Sequence, residues 1–135
     1  MMATASTAQR YQQTQLATAD RGRLLLLMFE GGLKFLAQAR AGLEAGDLTR
    51  FGYQLGRAQA VIAELMHTLD HKAGGEIATN LEHLYQFMLE HLVEANRCKS
   101  VRHVEQVSRL LGIISGAFRD ILEHGLPATP AVHAA

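Results

Sequence analysis

The residues of this chain with the strongest potential for chemistry are two histidines and a glutamate near its middle. Glu64 and His67 form a Glu-x-x-His motif, and His71 follows one helical turn later. Two histidines at that spacing can chelate a metal. A di-iron site in a helical bundle, however, requires two such motifs and two further inward glutamates. The chain supplies one motif, and nothing in the sequence identifies a third ligand for the histidine pair. We therefore predict no metal site and no cofactor.

The same region raises the alternative of a histidine phosphotransfer module that uses His67. The string from His67 to Gly75 superficially resembles the H-x-x-K-G pattern of such modules, which are also helical bundles. It has Asp70 where the pattern has lysine, and His71 where the pattern has glycine. Because a carboxylate would repel a phosphoryl group, this interpretation is the weaker alternative. The chain shows neither a phosphate-binding loop nor a nucleophile motif, so we predict a protein that is not an enzyme.

Composition restricts the class of protein further. The 135 residues suit one domain, and 13 basic residues balance 13 acidic ones, so the charge favours neither nucleic acid nor an anionic membrane. The single cysteine, Cys98, excludes an intrachain disulfide and a cysteine-based metal site. Residues 1–10 have no apolar core of a secretory signal, and the apolar run at 24–29 is far shorter than the ~20 residues of a membrane span. We expect a cytoplasmic protein without membrane insertion.

Helical periodicity dominates the rest of the sequence. Apolar residues recur at steps of three and four in four segments, and Asp20, Asp47 and Ser100 are suitable N-caps for three of them. Four long helices with short connections predict an all-α, antiparallel up-down four-helix bundle. We expect a flexible segment over 1–19, a bundle over 20–125 and a tail over 126–135. The predicted helices cover about 20–44, 48–70, 76–97 and 101–124.

The first predicted helix carries more apolar surface than one core face requires. Leu26, Phe29 and Leu33 form a second apolar face, so the helix needs burial on more than one side. It is either the central element of the bundle or it faces a partner. The paired glycines Gly31 and Gly32 suggest close approach of a neighbouring element. The predicted core stripe of this helix consists of Leu24, Leu25, Met28, Gly32, Phe35, Leu36, Ala39 and Leu43.

Several strings along the chain, in this order and spacing, resemble the FliS family of flagellar export chaperones. The segment from Leu25 to Gly31, LLLMFEG, is similar to the family pattern L-x-x-L-Y-[DE]-G. The chain departs from the family at Arg21, where proline is usual, at Met28-Phe29 in place of LY, and at Phe118 in place of tryptophan. The other matching strings are Tyr11-Gln-Gln-Thr-Gln, Thr18-Ala-Asp20, Arg57 to Leu65, Thr68-Leu-Asp70, Gly74 to Ala78, Asn80-Leu81, Leu84-Tyr85 and Leu92 to Asn96.

The resemblance implies a chaperone that binds the C-terminal segment of newly made flagellin in the cytoplasm. It would prevent premature polymerisation and deliver flagellin to the flagellar type III export apparatus, with an export gate component as a further partner when loaded. In the family the N-terminal segment covers part of the binding surface until flagellin arrives, which assigns Tyr11, Gln15 and Leu16 to that cover. We expect flagellin to contact positions off the core stripes, namely Leu26, Phe29, Leu33, Tyr53, Tyr85 and Leu89.

A structural role is the competing interpretation. The second apolar face of the first helix could serve self-association, giving a helical-bundle adaptor. The two interpretations are compatible, because a chaperone without its client can cover exposed apolar surface by forming a homodimer.

Overall fold

Four α-helices form the part of the chain that the structure describes. The computed structural model describes residues 6–125, and for residues 11–19 it describes the backbone alone. The helices are α1 (Thr7–Glu44), α2 (Leu48–His67), α3 (His71–Cys98) and α4 (Val101–His124), with no strand in the described range. Both α1 and α3 pack against α2 and α4. Within the described residues, the diagonal pairs, α1 with α3 and α2 with α4, make no close backbone contact. The predicted antiparallel four-helix bundle is confirmed.

Side-chain caps fix the starts of the later helices. Asp47 accepts a hydrogen bond from the backbone N–H of Arg50 at 3.0 Å, and Ser100 accepts one from that of His103 at 3.2 Å. Both caps agree with the prediction, and so do the bounds of α4. α2 ends at His67 rather than residue 70, because Asp70 caps α3 instead by accepting from the N–H groups of two residues in its first turn.

The predicted start of the first helix at Asp20 is wrong. α1 begins at Thr7, where Ser6 and Gln9 form a reciprocal capping box with hydrogen bonds of 3.1 and 2.9 Å. The sequence from Thr7 to Ala19 contains neither glycine nor proline, so nothing interrupts the helix before the predicted start. Residues 7–19 therefore continue α1 instead of forming a separate segment, and residues 1–5 and 126–135 lie outside the described range.

A glycine divides α3 near its start. Gly75 has φ 50° and ψ −124°, a backbone conformation that residues with a side chain rarely adopt. Residues 71–74, predicted as part of the connection, form one helical turn before this kink. The regular part of α3 starts after it, close to the predicted residue 76.

The buried face of α1 is rotated relative to the predicted core stripe. Phe29 is only 3% exposed although the sequence pattern assigns it to the second face, and Leu24 is 59% exposed although the pattern assigns it to the core. Both assignments are wrong, because α1 packs against α2 and α4 together and its buried face points between them. Of the paired glycines Gly31 and Gly32, only Gly32 is closely approached by neighbouring elements. A Cβ there would lie 3.1 Å from Leu111 and 3.3 Å from Val61.

Candidate protein-binding groove

An open apolar groove lies at the end of the bundle where α2 connects to α3. Its volume is about 350 Å³, within the range of sites that bind ligands or peptide segments. All four helices contribute to it, and its lining is almost entirely apolar. The lining residues are Leu25, Phe29, Leu65, Thr68, Leu69, Asp70, Ala73, Gly74, Ile77, Ala78, Leu81, Tyr85, Ile114 and Phe118.

Aromatic side chains form the floor of this groove. The rings of Phe29 and Phe118 lie with their centroids 5.6 Å apart, in a tilted arrangement that is favourable for aromatic pairs. Phe29 belongs to the buried core, and Phe118 packs against that core while partly exposed. The groove floor is therefore continuous with the core, which makes it rigid.

The start of α3 forms the rim of the groove. Ala73 and Gly74 precede the kink at Gly75, and Ile77 and Leu81 follow it, so both segments contribute walls. Ile77 is 70% exposed, the most exposed of the large apolar side chains in the described range. An apolar side chain this exposed, beside an apolar groove, is typical of a surface that binds another protein.

Tyr85 places a polar group within this apolar surface. The residue is 2% exposed, and its burial raises the pKa of the phenol to about 12. Its hydroxyl has no hydrogen-bond partner among the described residues, although it lines the groove. The carboxylate of Asp70, the charged residue of the lining, already accepts the N–H groups of Lys72 and Ala73 at 3.0 Å each. The groove thus offers an unused donor in apolar surroundings.

The structure brings together two of the six positions that the sequence predicts to contact flagellin. Phe29 and Tyr85 line the groove. The other four do not line it: Leu26 and Leu33 are half-buried on α1, Tyr53 is 63% exposed on α2, and Leu89 is half-buried on α3. The side chains of the predicted cover, Tyr11, Gln15 and Leu16, lie outside the described residues.

Sequence reasoning missed most of the groove because its lining residues follow the core periodicity. The pattern predicts that stripe positions at this end of the bundle, such as Leu81 and Ile114, are ordinary core. Both are half-buried, and they line the groove together with Ala73 and Gly74 of the first turn of α3. The sequence feature that could have indicated the groove is the glycine pair Gly74-Gly75, which lies next to an apolar stripe.

The histidines singled out by the sequence lie apart from the groove floor. His67 is exposed at the end of α2, and Nε2 of His71 lies 3.0 Å from a carboxylate oxygen of Glu82. The described side chains contain no group of three histidine, cysteine, aspartate or glutamate residues placed to hold a metal ion. Within residues 6–125, every helix is too short or too polar to cross a membrane.

Comparison with known proteins identifies the family. The family model described as flagellar protein FliS matches residues 3–125. The chain belongs to the FliS family. The matched range contains all four helices and every residue of the groove, so the resemblance inferred from the sequence strings is confirmed.

Relatives in several bacteria are similar to this FliS-family chain over most of its length. Flagellar secretion chaperone FliSB of Pseudomonas aeruginosa is 39% identical over 107 residues, which cover 76% of this chain and 85% of that protein. Flagellar secretion chaperone FliS of Salmonella typhimurium is 36% identical over 125 residues, covering 89% and 93%. That of Vibrio cholerae is 29% identical over 108 residues, covering 80% and 79%.

Proposed function

We propose that this FliS-family protein is a cytoplasmic export chaperone for flagellin. It binds the C-terminal segment of flagellin, prevents premature polymerisation, and delivers the client to a gate component of the flagellar type III export apparatus. The names of the relatives, flagellar secretion chaperones, support the role. The observation that carries the proposal is the open apolar groove with an exposed isoleucine on its rim.

The shape and chemistry of the groove suit an amphipathic helix. A helix that is made to pack inside a filament has an apolar face, and such a face can enter a groove through side chains one turn apart. Phe29, Phe118 and Leu81 would contact these client side chains, while the hydroxyl of Tyr85 would donate a hydrogen bond to a client oxygen. The remaining predicted contacts, Leu26, Leu33, Tyr53 and Leu89, would require the client to extend beyond this groove.

Binding of this kind can be specific and still reversible. Each Leu or Phe side chain that the client buries contributes about 1.5–3 kcal/mol. Ordering a segment that is disordered beforehand costs roughly 2–5 kcal/mol or more. The difference between these terms allows a complex that forms in the cytoplasm and dissociates at the export apparatus.

Calorimetric titration tests the proposal. The titrant is a peptide of the last ~40 residues of the flagellin from the same organism, long enough for several helical turns. We expect a one-to-one complex, a negative heat-capacity change and a gain in helicity on mixing. Absence of binding to protein that is demonstrably folded would contradict the chaperone role.

A further inference from the structure

Two histidines stack on each other across the seam between α3 and α4. The ring centroids of His91 on α3 and His103 on α4 lie 4.3 Å apart, with the ring planes inclined at 28°. Both residues are half-buried, and neither lines the groove described above. They belong to different helices, so only the fold brings them together. The prediction of no metal site rested on His67 and His71, which are neighbours in sequence, and it does not extend to this pair.

Neighbouring side chains hold both rings in place. The ring of Phe87, one turn before His91 on α3, stacks on the His91 ring with centroids 5.0 Å apart and planes inclined at 22°. Nε2 of His91 also contacts the amide oxygen of Gln106 on α4. On the other ring, Nδ1 of His103 lies 2.7 Å from the hydroxyl of Ser100, the N-cap of α4. Among the described residues, each imidazole therefore has one nitrogen with a partner and one without.

These contacts leave a lone pair on the second nitrogen of each ring. An amide oxygen only accepts hydrogen bonds, so Nε2 of His91 carries the proton and Nδ1 has the lone pair. The hydroxyl of Ser100 can accept as well as donate, so His103 can carry its proton on Nδ1 and its lone pair on Nε2. In metal sites, histidine ligands are oriented in the same way, by a hydrogen bond from the nitrogen that does not bind the metal.

The separation of the rings suits binding of a single ion by both. Zinc binds histidine nitrogens at about 2.0–2.1 Å, so a tetrahedral ion holds two of them about 3.3 Å apart. Rings with centroids 4.3 Å apart can reach this distance by side-chain rotation, without movement of either helix. Imidazole is a suitable ligand for zinc, copper and nickel, and water can occupy the remaining coordination positions.

A carboxylate adds negative charge beside the histidine pair. Glu94 lies on α3 three residues after His91, so it is on the same side of the helix. The pKa of its carboxyl lies below the ordinary value, first because Arg97 donates hydrogen bonds to it and also because His103 is close. The guanidinium of Arg97, 2.8 Å from Glu94, offsets part of the negative charge but leaves the carboxylate ionised. An ionised carboxylate beside two imidazoles favours a cation at this seam.

We propose that His91 and His103 bind one divalent transition-metal ion, with zinc as the reference ion, across the seam between α3 and α4. Nδ1 of His91 and Nε2 of His103 are its protein ligands, and water completes the coordination. Within the described residues, no ion pair joins α3 to α4, whereas two ion pairs join α1 to α4. The ion supplies a link of this kind between α3 and α4. Because the histidine pair exists only in the folded chain, binding stabilises the fold.

Titration of the full chain with zinc chloride tests the site. Calorimetry on protein without a polyhistidine tag should show saturable binding of one ion per chain. At a free zinc concentration ten times the Kd, the midpoint of thermal unfolding should rise by about 5 °C. Magnesium chloride should cause no such rise, because magnesium prefers oxygen ligands.

Substitutions identify the ligands. His91→Gln and His103→Gln should each weaken zinc binding about tenfold or more, because only one imidazole then remains. His83→Gln should leave binding unchanged, and it is the matched control because His83 is an exposed histidine of the same helix, α3. Gln106→Leu should also weaken binding about tenfold, because it removes the partner that orients His91 while both ligands remain. Circular dichroism checks that each variant is folded.

Three results would overturn the proposal. The first is the absence of saturable zinc binding by the original chain. The second is unchanged binding in folded His91→Gln or His103→Gln. The third is binding that is lost when His67 and His71 are both replaced by glutamine, which would place the ion at the α2–α3 connection. Flagellin is absent throughout and the histidine pair lies outside the groove, so failure here does not bear on the chaperone role.

Discussion

The ring of Phe29 on α1 lies 5.6 Å from that of Phe118 on α4, with the two planes inclined at 48°. This contact joins the core to the floor of the groove, since Phe29 is 3% exposed and both residues line the groove. A floor formed by core residues is already in place before a client arrives, which reduces the entropy lost on binding. Substitutions in the floor would therefore disturb folding and binding together, and the rim is the better place to separate them.

The buried phenol of Tyr85 predicts a loss of stability at alkaline pH. Because the folded-state pKa of about 12 exceeds the ordinary value of 10.0, the unfolded chain ionises first. The contribution of the neutral Tyr85 phenol to the stability of the folded state is complete below pH 10, and it is lost as the pH rises towards 12. The free energy of unfolding should fall by roughly 2 kcal/mol over this interval from Tyr85 alone. Urea denaturation at several pH values measures this fall.

Tyr85→Phe is the variant that isolates this effect from other alkaline titrations. Its free energy of unfolding should decline less steeply above pH 10 than that of the original chain. Tyr53→Phe is the control, because the side chain of Tyr53 is 63% exposed and the substitution removes a hydroxyl from the surface. Parallel pH profiles for the original chain and Tyr85→Phe would contradict the burial of the phenol.

The adjacent glycines of α1 should respond in opposite directions to alanine. Gly31→Ala should raise the free energy of unfolding by about 0.5–1 kcal/mol, because alanine is the better helix former and the added Cβ meets no atom. Gly32→Ala should lower it by about 1–3 kcal/mol, since its Cβ would lie 3.1 Å from Leu111 and 3.3 Å from Val61 and these side chains would have to shift. Urea denaturation at low micromolar protein measures both values without a contribution from association. The same sign for both variants would show that the packing around Gly32 is wrong.

The N-terminal part of α1 allows a test of the proposed cover. Deleting residues 1–18 should raise the affinity for the flagellin peptide, because Tyr11, Gln15 and Leu16 would no longer compete for the groove. Residues 7–19 continue α1 on the N-terminal side of Leu25, which lines the groove. Covering the groove requires α1 to bend, and Gly22 lies between the two regions. Calorimetric titration of the shortened and full chains provides the comparison, and equal affinities would rule out a cover.

The sequence predicts the bundle well because every helix has a clear apolar periodicity and most have a recognisable cap. Asp47 and Ser100 are identifiable as caps from residue type and position alone. The start of α1 is harder to place because the family resemblance and the polar composition of 7–19 favour a flexible segment, while Ser6 and Gln9 also form a capping box.

The groove is harder to predict than the fold. Periodicity shows that Leu81 and Phe118 face inward, but it does not show whether another helix covers them. That depends on how the first turn of α3, which precedes the kink at Gly75, packs on the end of the bundle. The rotation of α1 has a similar origin. Because α1 has two adjacent apolar faces, the sequence does not determine which face is buried until the packing against α2 and α4 is known. Phe29 is therefore buried and Leu24 exposed, the reverse of the prediction.

The most direct test of the central claim compares two exposed isoleucines. Ile77 on the groove rim is 70% exposed, and Ile113 on α4 is 63% exposed and does not line the groove. Because both are largely in solvent, aspartate at either position should leave the thermal stability nearly unchanged. Ile77→Asp should weaken binding of the flagellin C-terminal peptide about tenfold or more, whereas Ile113→Asp should preserve it. Equal affinities of the two variants, in titrations where the original chain binds, would show that flagellin binds elsewhere.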